Sequence, residues 1–132
     1  MFTSRKNKML VKKVMKKPIV IDKNISLAKA SRIMSKKNIG SLLFIKNRKV
    51  KGVLTEGDLI KNFGKNTTVT AVMSKKVITV FPKDRISKAI DVMKRNRIGV
   101  LPVVNDKKDL IGIVTAKDLL SDVSRGDAFL FE

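Results

Sequence analysis

The chain contains two copies of one sequence pattern, and this internal repeat limits the possible folds more than any other feature. Residues 37–45 are echoed by residues 96–104, with Gly40 matching Gly99 at an offset of 59 residues. The other matched segments, in chain order, are 11–15 with 69–73, 19–21 with 78–80 and 52–59 with 112–119. The last pair is offset by 60 because one residue is inserted near Asp109. So many matches in one order indicate a duplicated structural unit.

Each copy predicts the same succession of secondary-structure elements. A short helical turn and a brief strand precede an amphipathic helix, whose apolar residues recur with the spacing of a core-facing stripe. Two almost wholly apolar strands follow, joined by a polar turn, and a last helix begins at Thr55 or Thr115. The helix stripes are Leu27, Ala30 and Met34, then Ile86, Ala89, Ile90 and Met93. The predicted turns and strands are 10–15, 19–21, 41–46 and 50–55, then 68–73, 77–80, 100–104 and 110–115.

The repeat predicts one α+β module made of two β-α-β-β-α halves. With 132 residues the chain has room for one compact domain or for two small halves that share a core. Two copies related by a pseudo-twofold axis can bury the open sheet faces against each other. The expected ranges are 9–63 and 68–122 for the repeats, 64–67 for the hinge and 123–132 for a tail. The tail contains Phe129, Leu130 and Phe131, which is typical of a segment docked on its own module or on a partner.

Composition excludes several kinds of site. The chain has no cysteine and no histidine, which excludes thiolate and imidazole metal sites, cysteine nucleophiles and the usual general base near neutral pH. No two of the eleven carboxylates have a spacing that indicates an acid–base pair on one element. We therefore expect a binding module and not an enzyme, with a carboxylate-based nucleotide hydrolase as a third alternative. The sequence shows no membrane span or signal peptide, so we expect a cytoplasmic location.

The charge of the chain is extreme, with 30 Lys and Arg against 11 Asp and Glu, a net charge of +19. Such a field attracts polyanions. Nucleic-acid binders usually add Arg and stacking aromatic residues, whereas Lys dominates here and Tyr and Trp are absent. We expect non-specific nucleic-acid binding at low salt, and a nucleic-acid-associated protein is the alternative function.

Two Thr-x-x-Asp stretches at strand-to-helix junctions hold the residues with the clearest chemistry. They contain Thr55 and Asp58 in the first copy, and Thr115 and Asp118 in the second. One interpretation is a capping box, in which Thr and Asp bond to backbone amides of the first helical turn. The other is ligand binding, because a carboxylate can accept hydrogen bonds from both ribose hydroxyls and a helix start favours phosphate. Capping by Thr and binding by Asp can coexist.

The chain resembles a tandem pair of CBS domains, named after cystathionine β-synthase and often called a Bateman module. The resemblance covers roughly residues 9–122. Its most specific parts are two Gly-hydrophobic-hydrophobic-Thr-x-x-Asp stretches, at 52–58 and 112–118. The Val-Met-Ser-Lys opening at 72–75 and the Ile-Gly-Val-Leu-Pro-Val-Val stretch at 98–104 add to them.

This resemblance implies a stand-alone regulatory module that needs no obligatory cofactor. It would sense adenosine-containing ligands, namely AMP, ADP, ATP or S-adenosylmethionine, in clefts between the two repeats. The implied partners are a second molecule of the chain, in a disc-like homodimer, and an unidentified regulated protein. In the family pattern, the strand before the long helix contacts adenine through its backbone, Asp binds the ribose hydroxyls and Thr helps to hold phosphate.

Carried over to this chain, the family pattern places two sites. Site one comprises Val20, Ile21, Thr55 and Asp58. Site two comprises Thr79, Val80, Pro82, Thr115, Lys117 and Asp118. The first copy has Lys23 and Gly57 where the second has Pro82 and Lys117. Since family members often have a basic residue at the Lys117 position, we expect site two to bind more tightly.

Overall fold

The computed structural model describes residues 9–120, which form two compact units. Residues 19–77 form one of them, which we call the repeat-1 unit. Residues 78–120 together with residues 9–18 form the other, the repeat-2 unit. We call residues 9–18 and 68–77, which precede the first strand of each copy, the leading segments. Each unit therefore contains the leading segment of the other copy. The apolar tail at 123–132 and the end of the second predicted repeat lie outside the described residues.

The repeat-1 unit has the predicted β-α-β-β-α order, followed by the exchanged leading segment. Its sheet has the order β1-β2-β3, with β1 parallel to β2 and β2 antiparallel to β3. The elements are β1 (Val20–Ile21), α1 (Leu27–Lys37), β2 (Ser41–Lys46), β3 (Lys49–Thr55), α2 (Glu56–Lys61) and α3 (Val69–Val72). The mixed α+β class is thereby confirmed.

Local sequence explains where these elements begin and end. Helix α1 begins at a Ser26 cap, whose hydroxyl accepts a hydrogen bond from the Lys29 amide at 3.1 Å. It ends at Asn38, which has the left-handed φ of 54° that Asn tolerates better than most residues. Asn47 and Arg48, both with positive φ, form the two-residue turn between β2 and β3.

The core of the repeat-1 unit is formed by the predicted stripe of α1 and by the strands beneath it. Its buried residues are Leu27, Ala30, Met34, Leu42, Leu54 and Val69. Val69 comes from the leading segment of the second copy, and its side chain is fully buried. The leading segment is thus part of this core and not a surface strap.

The repeat-2 unit repeats this plan. Its elements are a 3-10 helix (Val11–Lys13), α4 (Ile86–Asn96), β4 (Val100–Val104) and β5 (Leu110–Thr115), and residues 116–120 are helical. Its buried residues are Val11, Val80, Ile86, Ala89, Met93, Leu101, Val103, Val114 and Leu119. No helix among residues 9–120 combines the length and the apolar character that a membrane span requires.

The strand expected at 77–80 is reduced to a single bridge between Val80 and Val103. The Val80 amide donates to the Pro102 carbonyl, and the Val104 amide donates to the Val80 carbonyl, both at 3.0 Å. The next bond of a parallel ladder would need an amide N–H at residue 102, which proline lacks. Leu43 stands at the matching place in the first copy, and there the pairing extends over two residues.

Each leading segment pairs with the last strand of its unit. Lys16 and Ile113 exchange two backbone hydrogen bonds of 2.9 Å, and Ser74 and Val53 do the same at the matching place. This pairing sets Lys16 close to Thr115 and Ser74 close to Thr55, where the last strand of each unit ends and a helix begins.

Candidate functional site

Of the predicted residues of site one, Val20, Ile21 and Thr55 lie on one sheet of the repeat-1 unit, and Asp58 lies on the first turn of the helix that follows Thr55. Thr55 pairs with Ser41 at the end of β3, and Val20 pairs with Leu43 on the edge strand β1. Two strand spacings and a shift of two residues put Val20 and Thr55 roughly 12 Å apart. A ligand that contacts both must therefore lie across the start of β2.

Asp58 completes a capping box. Its amide donates to Thr55 Oγ1 at 3.2 Å, and the Thr55 amide donates to Asp58 Oδ2 at 2.9 Å. The capping interpretation is correct for Thr55 and Asp58. The capping bond leaves other acceptor positions on the Asp58 carboxylate for a ligand, because an ionised carboxylate has about four.

Asp118 has a different partner at the same place in the repeat. Its amide donates to Thr115 Oγ1 at 3.1 Å, so the threonine again caps the helix. Its carboxylate Oδ2 is buried and contacts the Lys16 ammonium nitrogen at 2.9 Å. Asp118 is thus held by a cation from the leading segment, where Asp58 is held by a backbone amide.

The Lys16 hydrogen bond lowers the pKa of the Asp118 carboxyl below its ordinary value. Partial burial opposes this shift, and the Thr115 hydroxyl and the nearby positive charges add to it. Asp118 is therefore ionised at neutral pH, which suits a hydrogen-bond acceptor for hydroxyl groups.

Val80 lies in the sheet through both of its backbone groups, and its side chain is only 1% exposed. Thr79 and Pro82 flank it and are half-buried, and the Pro82 carbonyl accepts a hydrogen bond from the Lys12 amide at 3.0 Å. Lys117 lies exposed on the first turn of the helix at 116–120. In site two, backbone groups beside Val80 are therefore better placed than those of Val80 to contact a ligand.

Three residues near the sites escaped the sequence analysis: Lys16, Ser74 and Glu56. Lys16 matches Ser74 at the offset of 58, but the exchange of leading segments that places them was not visible in the pattern. Glu56 Oε1 lies so close to Gly40 that a methyl group there would be 2.7 Å away. A methyl group at the matching Gly99 would instead be 4.0 Å from the smaller side chain of Ala116.

Comparison with known proteins finds the same family in both copies of the repeat. The CBS domain family matches residues 11–65 and 69–125. An uncharacterized protein of Methanocaldococcus jannaschii is 31% identical, over 85% of this chain and 89% of that protein. Inosine-5'-monophosphate dehydrogenase of Thermoplasma acidophilum is 35% identical over 75% of this chain, which spans about a fifth of that enzyme's length.

A solved CBS domain pair has the same fold. That structure is a complex with 5'-methylthioadenosine and S-adenosyl-L-methionine, and it superposes with a TM-score of 0.82 at 30% sequence identity. The match covers 89% of this chain and 97% of the solved one. With two matches that span most of its length, the chain belongs to the CBS-domain family and carries two CBS domains in tandem.

Proposed function

We propose that the chain is a regulatory module that binds adenosine-containing ligands at sites one and two. The observation that carries this proposal is the recurrence, in each unit, of a Thr-x-x-Asp turn at the same strand-to-helix junction. In a family member 30% identical to this chain, the solved CBS domain pair is a complex with two adenosine compounds.

The chemistry of the turn fits a nucleoside. A carboxylate accepts hydrogen bonds from two vicinal hydroxyl groups, and ribose offers such a pair. Asp58 is held by the Thr55 amide, and Asp118 is held by Lys16 while its side chain is 34% exposed. Both acids are therefore fixed in position before a ligand arrives, which reduces the entropy lost on binding.

The proposed mechanism is a binding-linked shift between states and not a reaction. A ligand changes an equilibrium only as far as it binds two states unequally. The adenosine ligand would thus change how the module contacts a regulated protein or a second copy. Similarity to inosine-5'-monophosphate dehydrogenase does not extend the proposal to that enzyme's activity, since the match covers 20% of the enzyme.

A homodimer is part of the proposal. Ile60 and Phe63 are 75% and 90% exposed at the end of the first copy, and Leu120, which matches Ile60 in the repeat, is 66% exposed. Large apolar side chains exposed at matched places are typical of a surface that a partner covers. The proposed partner is a second molecule of this chain. The comparisons give no support to the nucleic-acid alternative.

Thermal unfolding with a ligand panel tests the proposal. The panel comprises AMP, ADP, ATP, S-adenosylmethionine and 5'-methylthioadenosine, with inorganic polyphosphate as a polyanion that lacks adenosine. At a fixed salt concentration, at least one adenosine compound should raise the Tm. The stabilisation should grow with the logarithm of the ligand concentration and reach about 2.7 kcal/mol at a hundred times the Kd. An Asp58→Asn/Asp118→Asn variant should lose most of this effect. Stabilisation by polyphosphate alone, or by nothing in the panel, contradicts the proposal.

A further inference from the structure

Lys16 enters site two from outside the repeat copy that supplies its other residues. Its backbone is fixed by the two hydrogen bonds to Ile113, and its ammonium nitrogen is 2.9 Å from Asp118 Oδ2. The side chain is 50% exposed, so the cation lies at the surface of the protein and not in its core. A cation one hydrogen bond away from the proposed ribose-binding carboxylate is within reach of groups attached to that ribose.

The two sites differ in charge at three matched positions around the Asp. In site two, Lys16 and Lys117 provide two cations, and Ala116 is neutral. In site one, Ser74 and Gly57 are uncharged, and an acid, Glu56, replaces the alanine. At these three positions and the Asp, site two thus holds two cations and one acid, whereas site one holds two acids and no cation. In the first copy a cation, Lys23, stands instead at the place of Pro82.

We propose that Lys16 is a specificity-determining residue of site two, which selects adenosine ligands that carry a phosphate group at the ribose 5' position. The inference rests on the proposed function, because it assumes that Asp118 binds the ribose. A lysine ammonium has three donors on a flexible stem, so Lys16 can keep one hydrogen bond to Asp118 and donate another to phosphate. A positively charged sulfonium in the same place would meet two cations and be disfavoured.

A purely structural role for the Lys16–Asp118 ion pair would have a different signature. Pairs this exposed stabilise proteins little, so a structural role would appear as a small change in Tm with unchanged ligand preference. A role in selectivity appears instead as a change in the ratio of two affinities. The ratio between ATP and 5'-methylthioadenosine isolates it, because both contain adenosine and only ATP carries phosphate.

Calorimetric titration of Lys16→Ser tests the inference, since serine stands at the matching position 74. In an Asp58→Asn background, which weakens site one, Lys16→Ser should lower ATP affinity about ten- to a hundredfold. The affinity for 5'-methylthioadenosine should fall much less than that for ATP. That ligand has no charged group for Lys16 to bind, so it loses only the effect of Lys16 on the position of Asp118. Lys16→Arg should keep the preference for ATP, and Ser74→Lys, in an Asp118→Asn background, should raise the ATP affinity of site one.

Two outcomes overturn the inference while leaving the proposed function intact. In one, Lys16→Ser weakens both ligands equally, so that Lys16 only orients Asp118. In the other, Lys16→Ser leaves ATP affinity unchanged. If no adenosine compound of the panel binds the unmodified protein, the proposed function fails and this inference fails with it. If another compound of the panel binds but ATP does not, the inference alone fails. Lys16→Met, which removes the charge and keeps nearly the full length of the unbranched side chain, serves if the serine variant does not fold.

Discussion

Asp58 and Asp118 occupy one position of the repeat but hold different partners, and this difference sets what each can contribute to binding. Asp58 uses an oxygen to cap its own helix at 2.9 Å. Asp118 Oδ2 instead contacts the Lys16 ammonium nitrogen at 2.9 Å, and the positive charge of Lys117 also acts on this carboxylate. The ribose contact is a proposal for both acids. Their different partners, a backbone amide and a lysine, are the physical reason to expect different contributions to ligand affinity.

We predict that Asp118 contributes more to nucleotide affinity than Asp58. Asp118→Asn keeps the shape and removes the charge, so it should weaken AMP or ATP binding by roughly 1.5–3 kcal/mol, about ten- to a hundredfold. Asp58→Asn should weaken binding less. Calorimetric titration of both variants at one salt concentration measures the difference, since the protein is strongly cationic. If both substitutions lower the Tm by the same amount and leave nucleotide affinity unchanged, the two acids only cap their helices and the ribose assignment is wrong.

The lowered pKa of Asp118 predicts how acid affects stability. Because this pKa lies below that of the unfolded chain, the unfolded state binds more protons in the acid range. The stabilisation is therefore complete above about pH 5 and is lost as pH falls through the lowered pKa. The Tm difference between the unmodified protein and Asp118→Asn should be constant from pH 8 to 5 and shrink below about pH 4. A difference that stays constant or grows down to pH 3 contradicts the assignment of the ion pair.

At the scale of elements, a glycine and a methionine form the contact between the last strand and the leading segment of each unit. A methyl group at Gly52 would overlap the Met73 side chain, and one at Gly112 would lie 3.1 Å from Met15 Sδ. The two methionines match each other in the repeat, as do the two glycines. The absence of a side chain on the strand is therefore what allows the leading segment to approach and pair.

We predict that Gly52→Ala destabilises the protein by about 1–3 kcal/mol, the usual range for an overpacked core. Met73→Ala in the same chain should recover part of this loss, because it removes the atoms that clash. Urea unfolding of the single and double variants gives the coupling free energy between positions 52 and 73. Gly57→Ala is the matched control, since its nearest contact would be an ordinary 3.6 Å. Strict additivity of the two substitutions would show that the contact does not carry the effect.

At the scale of the whole molecule, the exposed apolar residues at the ends of the two copies predict self-association. Light scattering at tens of micromolar should give twice the monomer mass of 14.7 kDa. Phe63→Asp should shift the mass towards the monomer, because it puts a charge on a side chain that is 90% exposed in the single chain. Lys61→Asp, which adds an acid nearby without removing apolar surface, should shift it less. A mass near 14.7 kDa for the unmodified protein contradicts the homodimer.

Much of the fold could be predicted from the sequence because its signals are local. Periodicity identified α1 and α4 with their buried stripes, and polar turn residues such as Asn47 and Arg48 separated the paired strands. Duplication of the Thr-x-x-Asp turn identified both capped junctions. Each of these features depends on residues within about one helical turn or one hairpin of each other, so a single stretch of chain is enough to specify it.

Tertiary structure alone decided which leading segment joins which repeat, and with it the partner of Asp118. Residues 9–18 and 68–77 carry the same pattern, so either could pair with either last strand as far as local sequence is concerned. Chain connectivity and the packing of Val11 and Val69 into opposite cores resolve this degeneracy. The shortened strand at Val80 has the same origin, because Pro102 removes a hydrogen bond only once β4 lies beside it. Such long-range pairings depend on the packed molecule, since no segment contains both partners.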